Sequence, residues 1–131
     1  MSARITSDWF WLADSVTANL DSGLHTLVIE GSQSRSPFPS GMLRLSVRDF
    51  VGEGVYVLGP GDGGFKPYSG GADEYWIESG ELHIGEYDAG AMALRGSFSL
   101  IVVQFSFAWE RIQISEGQVE IAVMGGRRPA E

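Results

Sequence analysis

The sequence predicts an all-β fold, an antiparallel β-sandwich or flattened barrel of about eight to nine short strands. Three observations point to it. Glycine occurs 18 times in 131 residues, about twice the average usage of roughly 7%, which marks many tight turns. Short runs with an apolar residue at every second position recur about every eight to twelve residues, separated by Gly, Pro, Asp and Ser. The only helical pattern, residues 14–20 (DSVTANL), is short and contains the β-branched Val16 and Thr17.

Taken in order, residues 9–13 (WFWLA) form the first candidate strand, and residues 24–30 (LHTLVIE) follow a turn at Asp21, Ser22 and Gly23. Residues 31–41 (GSQSRSPFPSG) hold two prolines and four serines and read as a loop. In residues 42–47 (MLRLSV), Leu43, Leu45 and Val47 share one face while Arg44 and Ser46 share the other, the alternation of a half-buried strand. Residues 54–58 (GVYVL) continue the series, and residues 59–71 are the longest turn-rich stretch. Residues 75–77 begin a strand that a turn at Ser79 and Gly80 joins to residues 81–85, and a further turn falls at residues 88–90. A turn at Glu116 and Gly117 leads into a last strand at residues 118–123. Residues 1–124 are thus expected to form a single domain, with residues 125–131 (GGRRPAE) as a C-terminal tail.

Residues 94–115 (LRGSFSLIVVQFSFAWERIQIS) leave two arrangements open. As one strand, residues 97–107 would exceed the usual length, and the apolar set would switch faces between Phe98, Leu100, Val102 and Ile101, Val103, Phe105. As a hairpin, residues 96–103 and 111–115 are the arms, with Phe105, Phe107 and Trp109 near the tip.

Composition removes several function classes. A net charge of -8, with Lys66 the only lysine, argues against nucleic acid, whose binding draws on cations that neutralise phosphate. The same balance argues against anionic membrane surfaces, and no segment approaches the ~20 apolar residues of a membrane span, so no membrane insertion is expected. The absence of cysteine removes thiolate metal sites and thiol catalysis and leaves the compartment open. No apolar run of signal-peptide length stands at the N-terminus, so an unexported chain is expected.

In its order of motifs the chain resembles lipoprotein-like β-sandwich domains of unknown function from Bacteroidota. The shared pattern is a tryptophan in the first strand (Trp11), LVIEG at 27–31, the glycine-tyrosine strand at 54–58, GELHI at 80–84, RGSFS at 95–99 and a final hairpin over 114–123. The resemblance implies a β-sandwich or barrel-like domain with no enzymatic role, tethered outside the inner membrane through a lipidated cysteine. This chain departs from the pattern in lacking that cysteine and in carrying FSFAW where a polar turn is expected.

Candidate chemistry is sparse. GPGDGGFK at 59–66 is glycine-rich, yet Phe65 interrupts the phosphate-loop spacing and Pro67 stands where a helix must begin, so a hairpin loop is expected. His25 and His83 each sit in an alternating run without metal-ligand spacing or a nucleophile elbow. Asp73, Glu74, Glu86 and Asp88 lack the calcium-loop pattern. No catalytic residue, metal or cofactor is expected. The aromatics are more informative: besides core packing, Tyr68, Tyr75 and Trp76 are candidate polysaccharide-stacking residues. Phe105, Phe107 and Trp109 are candidate anchors of a homo-oligomer interface, with Arg127 and Arg128 as rim contacts to an acidic neighbour. A non-enzymatic binding or structural module, self-associating through the aromatic hairpin, is the leading expectation. A carbohydrate-binding module comes second and a small hydrolase third.

Overall fold

The computed structural model describes residues 1–5, 9–21, 23–33, 41–67, 74–91, 93–104, 111–121 and 125–127. All the regular structure among them is strand, in one eleven-stranded sheet. The strands are β1 (Ser2–Ile5), β2 (Trp9–Leu12), β3 (Ser15–Asp21), β4 (Thr26–Gln33), β5 (Gly41–Val47), β6 (Gly54–Leu58), β7 (Gly63–Pro67), β8 (Tyr75–Asp88), β9 (Ala93–Gln104), β10 (Arg111–Ile121) and β11 (Gly125–Arg127). Their spatial order is β11-β3-β4-β5-β7-β8-β9-β10-β1-β2, and β6 lies beside β8 past the end of β7. Every pairing is antiparallel except β11 with β3.

The two ends of this sheet belong to the same continuous segments. β2 passes into β3 through Ala13 and Asp14, and β10 leads on toward β11. Between them sits β1, with Ser2 opposite Leu12 on one side and Gln118 on the other. Past that wedge the long segments meet directly, residues 125–127 running parallel to Asn19, Leu20 and Asp21. Backbone bonds close the seam: Ala13 N–H donates to the Met1 carbonyl and Asp14 N–H to the Ser32 carbonyl, both at 2.9 Å. Leu12 N–H donates to Gln33 Oε1 at 3.1 Å, which accounts for a glutamine that is almost wholly buried. Of the sandwich and the flattened barrel expected, the single curled sheet is nearer the second. Breaks in register within β1, β8 and β10 supply the local bending that such curvature needs.

Alternate residues point inward and form one core. On β4 and β5 these are Leu27, Ile29, Leu43, Leu45 and Val47, and on β9 they are Leu94, Phe98, Leu100 and Val102. At its centre the fully buried Trp11 meets Phe65 edge to face, with ring centroids 6.4 Å apart. Both rings lie where neighbours have no side chain. A β-carbon on Gly31 would come within 2.9 Å of the Trp11 ring, and one on Gly41 within 2.7 Å of Phe65. Phe50 is buried in the same core, tilted against the Tyr56 ring at 5.6 Å and edge to face with Tyr87 at 5.0 Å. Its N–H donates to the His25 carbonyl, and Tyr56 Oη, donating to the Gly52 carbonyl at 2.6 Å, ties down the loop that carries it.

Several expected elements differ. Residues 14–20 are not helical: 15–21 form β3, where pairing with β4 along its whole length overrides a weak local pattern. The turn expected at Ser79–Gly80 is continuous strand in β8 just past a bulge between Ile77 and Ser79, and the one expected at Glu116–Gly117 is a bulge inside β10. Glu116 takes φ of 52°, and the Phe98 ring covers Gly117 so closely that a β-carbon there would overlap it. The turn-rich stretch at 59–71 contains β7, β1 precedes the first expected strand, and part of the expected tail forms β11. Residues 94–115 are a hairpin, with Arg111 opposite Val103 and Ile114 opposite Leu100. Its tip, 105–110, lies outside the described residues.

Replacing Trp11 with alanine removes the centre of this packing and is expected to cost about 3–5 kcal/mol of stability. Urea unfolding followed by circular dichroism reads the loss as a lower midpoint; an unchanged midpoint would contradict the central role of Trp11.

Candidate functional site

Strand register brings one row of outward-facing positions across the sheet: Glu30 on β4, Arg44 on β5, Gly64 on β7, Trp76 on β8, Val103 on β9 and Arg111 on β10. Adjacent strands lie about 4.8 Å apart, so Arg44 and Trp76 face each other across roughly 10 Å with only glycine between them. The glycines here are obligatory. Gly63 has φ of 125°, a β-carbon on it would overlap the Arg44 carbonyl, and one on Gly64 would overlap the Tyr75 carbonyl. A notch in the outer face follows from the close approach of β7 to both neighbours.

The notch opens into a groove of about 380 Å³ whose sides include Met42, Arg44, Lys66, Glu74 and Trp76. Its volume falls within the usual range for small-molecule sites. Trp76 is 52% exposed, on a strand paired on both sides. The flanking charges are paired: Arg44 Nε lies 3.5 Å from Glu30 Oε1, and Lys66 Nζ 3.6 Å from Glu74 Oε1. These exposed pairs add little to stability but present donors and acceptors of both signs at the rim.

One end of the groove is set by the turn at residues 59–62. Asp62, only 7% exposed, accepts the Gly59 N–H at 2.8 Å through Oδ2 and an Arg48 Nη2 bond at 3.3 Å through Oδ1. Its own N–H donates to the Gly59 carbonyl, and its carbonyl accepts from Ser46 N–H. Asp62 was not singled out by sequence; its signal is an aspartate embedded in a glycine-proline turn, where a side chain that bonds nearby backbone N–H groups is favoured.

Of the expected stacking residues, Trp76 faces outward and Tyr75, its neighbour on the same strand, points inward and is 8% exposed. The two do not share a face, because successive strand residues point to opposite sides. Tyr68 lies outside the described residues, as do Phe105, Phe107, Trp109 and Arg128; Arg127 is placed in β11 by its backbone. His25 lies in the turn before β4, not within a strand, and takes φ of 53°. His83 is exposed on β8 with Nε2 2.9 Å from Glu81 Oε2. Glu74 adjoins the start of β8, whereas Glu86 and Asp88 stand at its other end, so these carboxylates are not brought together; Asp73 is outside the described residues. At that far end Glu86 and Glu120 flank Arg95, and the Glu120 hydrogen bond raises the guanidinium pKa above its ordinary value. Among the described residues no helix is long and apolar enough to cross a membrane.

Asp62→Ala is expected to lower stability by about 1–3 kcal/mol, since the Gly59 N–H loses its acceptor. Thermal unfolding of the variant against the parent measures this, and equal stability would show that the turn holds without the carboxylate. No protein-family model, curated protein or solved structure matches the chain, which leaves its own geometry as the ground for a functional reading.

Proposed function

We propose that the protein is a non-enzymatic binding module whose groove beside Trp76 takes a polysaccharide. The observation that carries this reading is a half-exposed tryptophan at the rim of a glycine-floored groove, flanked by charged hydrogen-bonding side chains. A sugar ring has an apolar C–H face and a hydroxylated rim. An indole suits the first and Arg44, Lys66 and Glu74 suit the second. Trp76 sits on a strand hydrogen-bonded on both sides, so little ordering of the backbone opposes binding.

In affinity electrophoresis through gels containing soluble polysaccharides, the parent protein is expected to be retarded by at least one of them. Trp76→Ala is expected to weaken that binding by about tenfold or more, equivalent to at least about 1.4 kcal/mol. Equal retardation of both proteins would remove Trp76 from the site.

A second reading, self-association through Phe105, Phe107 and Trp109, is favoured by the pairing of the hairpin arms as far as Val103 and Arg111. Phe105, Phe107 and Trp109 fall in the six residues between the arms; exposed together, three such aromatics would form an apolar patch that monomers seldom carry. Under this reading, changing Phe107 and Trp109 to serine lowers the light-scattering mass of the parent to that of a single chain. A parent already of single-chain mass across a tenfold dilution excludes it.

A further inference from the structure

Resting on the polysaccharide reading of the groove, we infer that its ligand is an uncharged glycan, selected against uronate-bearing and sulfated polymers. The argument begins with the cations of this face. Arg44, Lys66 and Arg111 each already have a carboxylate partner: Glu30 at 3.5 Å, Glu74 at 3.6 Å and Glu78 at 2.9 Å. Among the described residues of this face, these three positive groups stand against three negative ones. An anionic polymer entering here competes with those carboxylates for the cations, and it does so against the repulsion of a chain of net charge -8.

A cationic ligand meets the converse obstacle, because Glu30 and Glu74 are already engaged by Arg44 and Lys66. A neutral polyol breaks no ion pair. Its hydroxyls accept from the guanidinium and ammonium groups and donate to the carboxylates, each of which keeps free hydrogen-bonding capacity beside its partner. Glu30 has a further effect. It lies on the side of Arg44 opposite Gly64, so its contact with Arg44 Nε is made on the side away from the notch. Specificity therefore comes partly from the carboxylates, which occupy the cations that would otherwise recruit an acidic polymer.

The test compares gels of neutral polymers (laminarin, hydroxyethyl cellulose and xylan) with gels of acidic ones (polygalacturonate, alginate and heparin), using a lectin of known specificity as control. Each gel is run from about 20 to about 500 mM NaCl, over which the Debye length falls from ~20 Å to ~4 Å. The expected result is retardation by a neutral polymer, lost in Trp76→Ala and changed by less than roughly twofold across the salt range. A Glu30→Gln, Glu74→Gln double variant, which frees both cations, is expected to gain retardation by polygalacturonate that disappears at high salt. Retardation of the parent by an acidic polymer, weakening about tenfold with salt, overturns the inference and leaves the groove as the site. Failure of every gel to retard the parent while the control lectin is retained overturns the polysaccharide reading itself.

Discussion

Closure of the sheet at Ala13 and Asp14 is the constraint on which the rest of the structure depends. A curled sheet this small must dispose of two edges, and an open edge offers a row of unpaired backbone groups to any other chain. Here one segment changes partners at a bend, pairing with β1 before Ala13 and with β4 after Asp14, and backbone hydrogen bonds to Met1 and Ser32 hold the bend. The same bend delivers Trp11 to the centre of the core, against Phe65 and over Gly31. Closure and core packing are therefore one event, and β1 is short because it only has to fill the fork between two longer segments.

The groove inherits its geometry from that closure. Curling brings β5, β7 and β8 together tightly enough that β7 needs two successive glycines to pass between the carbonyls of Arg44 and Tyr75. The floor is thus backbone, held by the sheet and by the Asp62 turn, while the walls are side chains of the outer face. Phe65, next to Gly64, points inward against Trp11. A single strand therefore supplies both the floor of the groove and a central core contact.

Much of the fold was legible in the sequence, and the failures have physical causes. Strand β6 has its expected bounds, and the alternation at Leu43, Leu45 and Val47 marks the buried face of β5. Those signals are local, as is the Asp88 turn, whose carboxylate accepts the Ala91 N–H. By contrast Gly80, crowded by the Ser99 carbonyl, and Gly117, at a bulge, look like turns because close strand approach, bulges and turns all call for small or flexible residues; only pairing with β9 along β8 and β10 distinguishes them. Strand β3 was hidden because its identity comes from β4 rather than from Asn19 or Ala18. For the groove, Trp76 was visible as an aromatic beside a glycine loop. Its separation from Tyr75 and the notch at Gly64 follow from register between distant strands, which no short window of sequence contains.

The obligatory glycines set how this surface can change over time. Because Gly63 and Gly64 are demanded by neighbouring carbonyls, the floor of the groove is fixed by folding whatever the groove holds. Met42, Arg44, Lys66 and Glu74 carry no such demand, standing on the outer face where substitutions usually alter stability by less than about half a kcal/mol. Under the reading proposed for the groove, selection on folding and selection on ligand choice therefore act on separate residues. A lineage could then vary the walls alone, keeping an inherited depression that was shaped by strand approach.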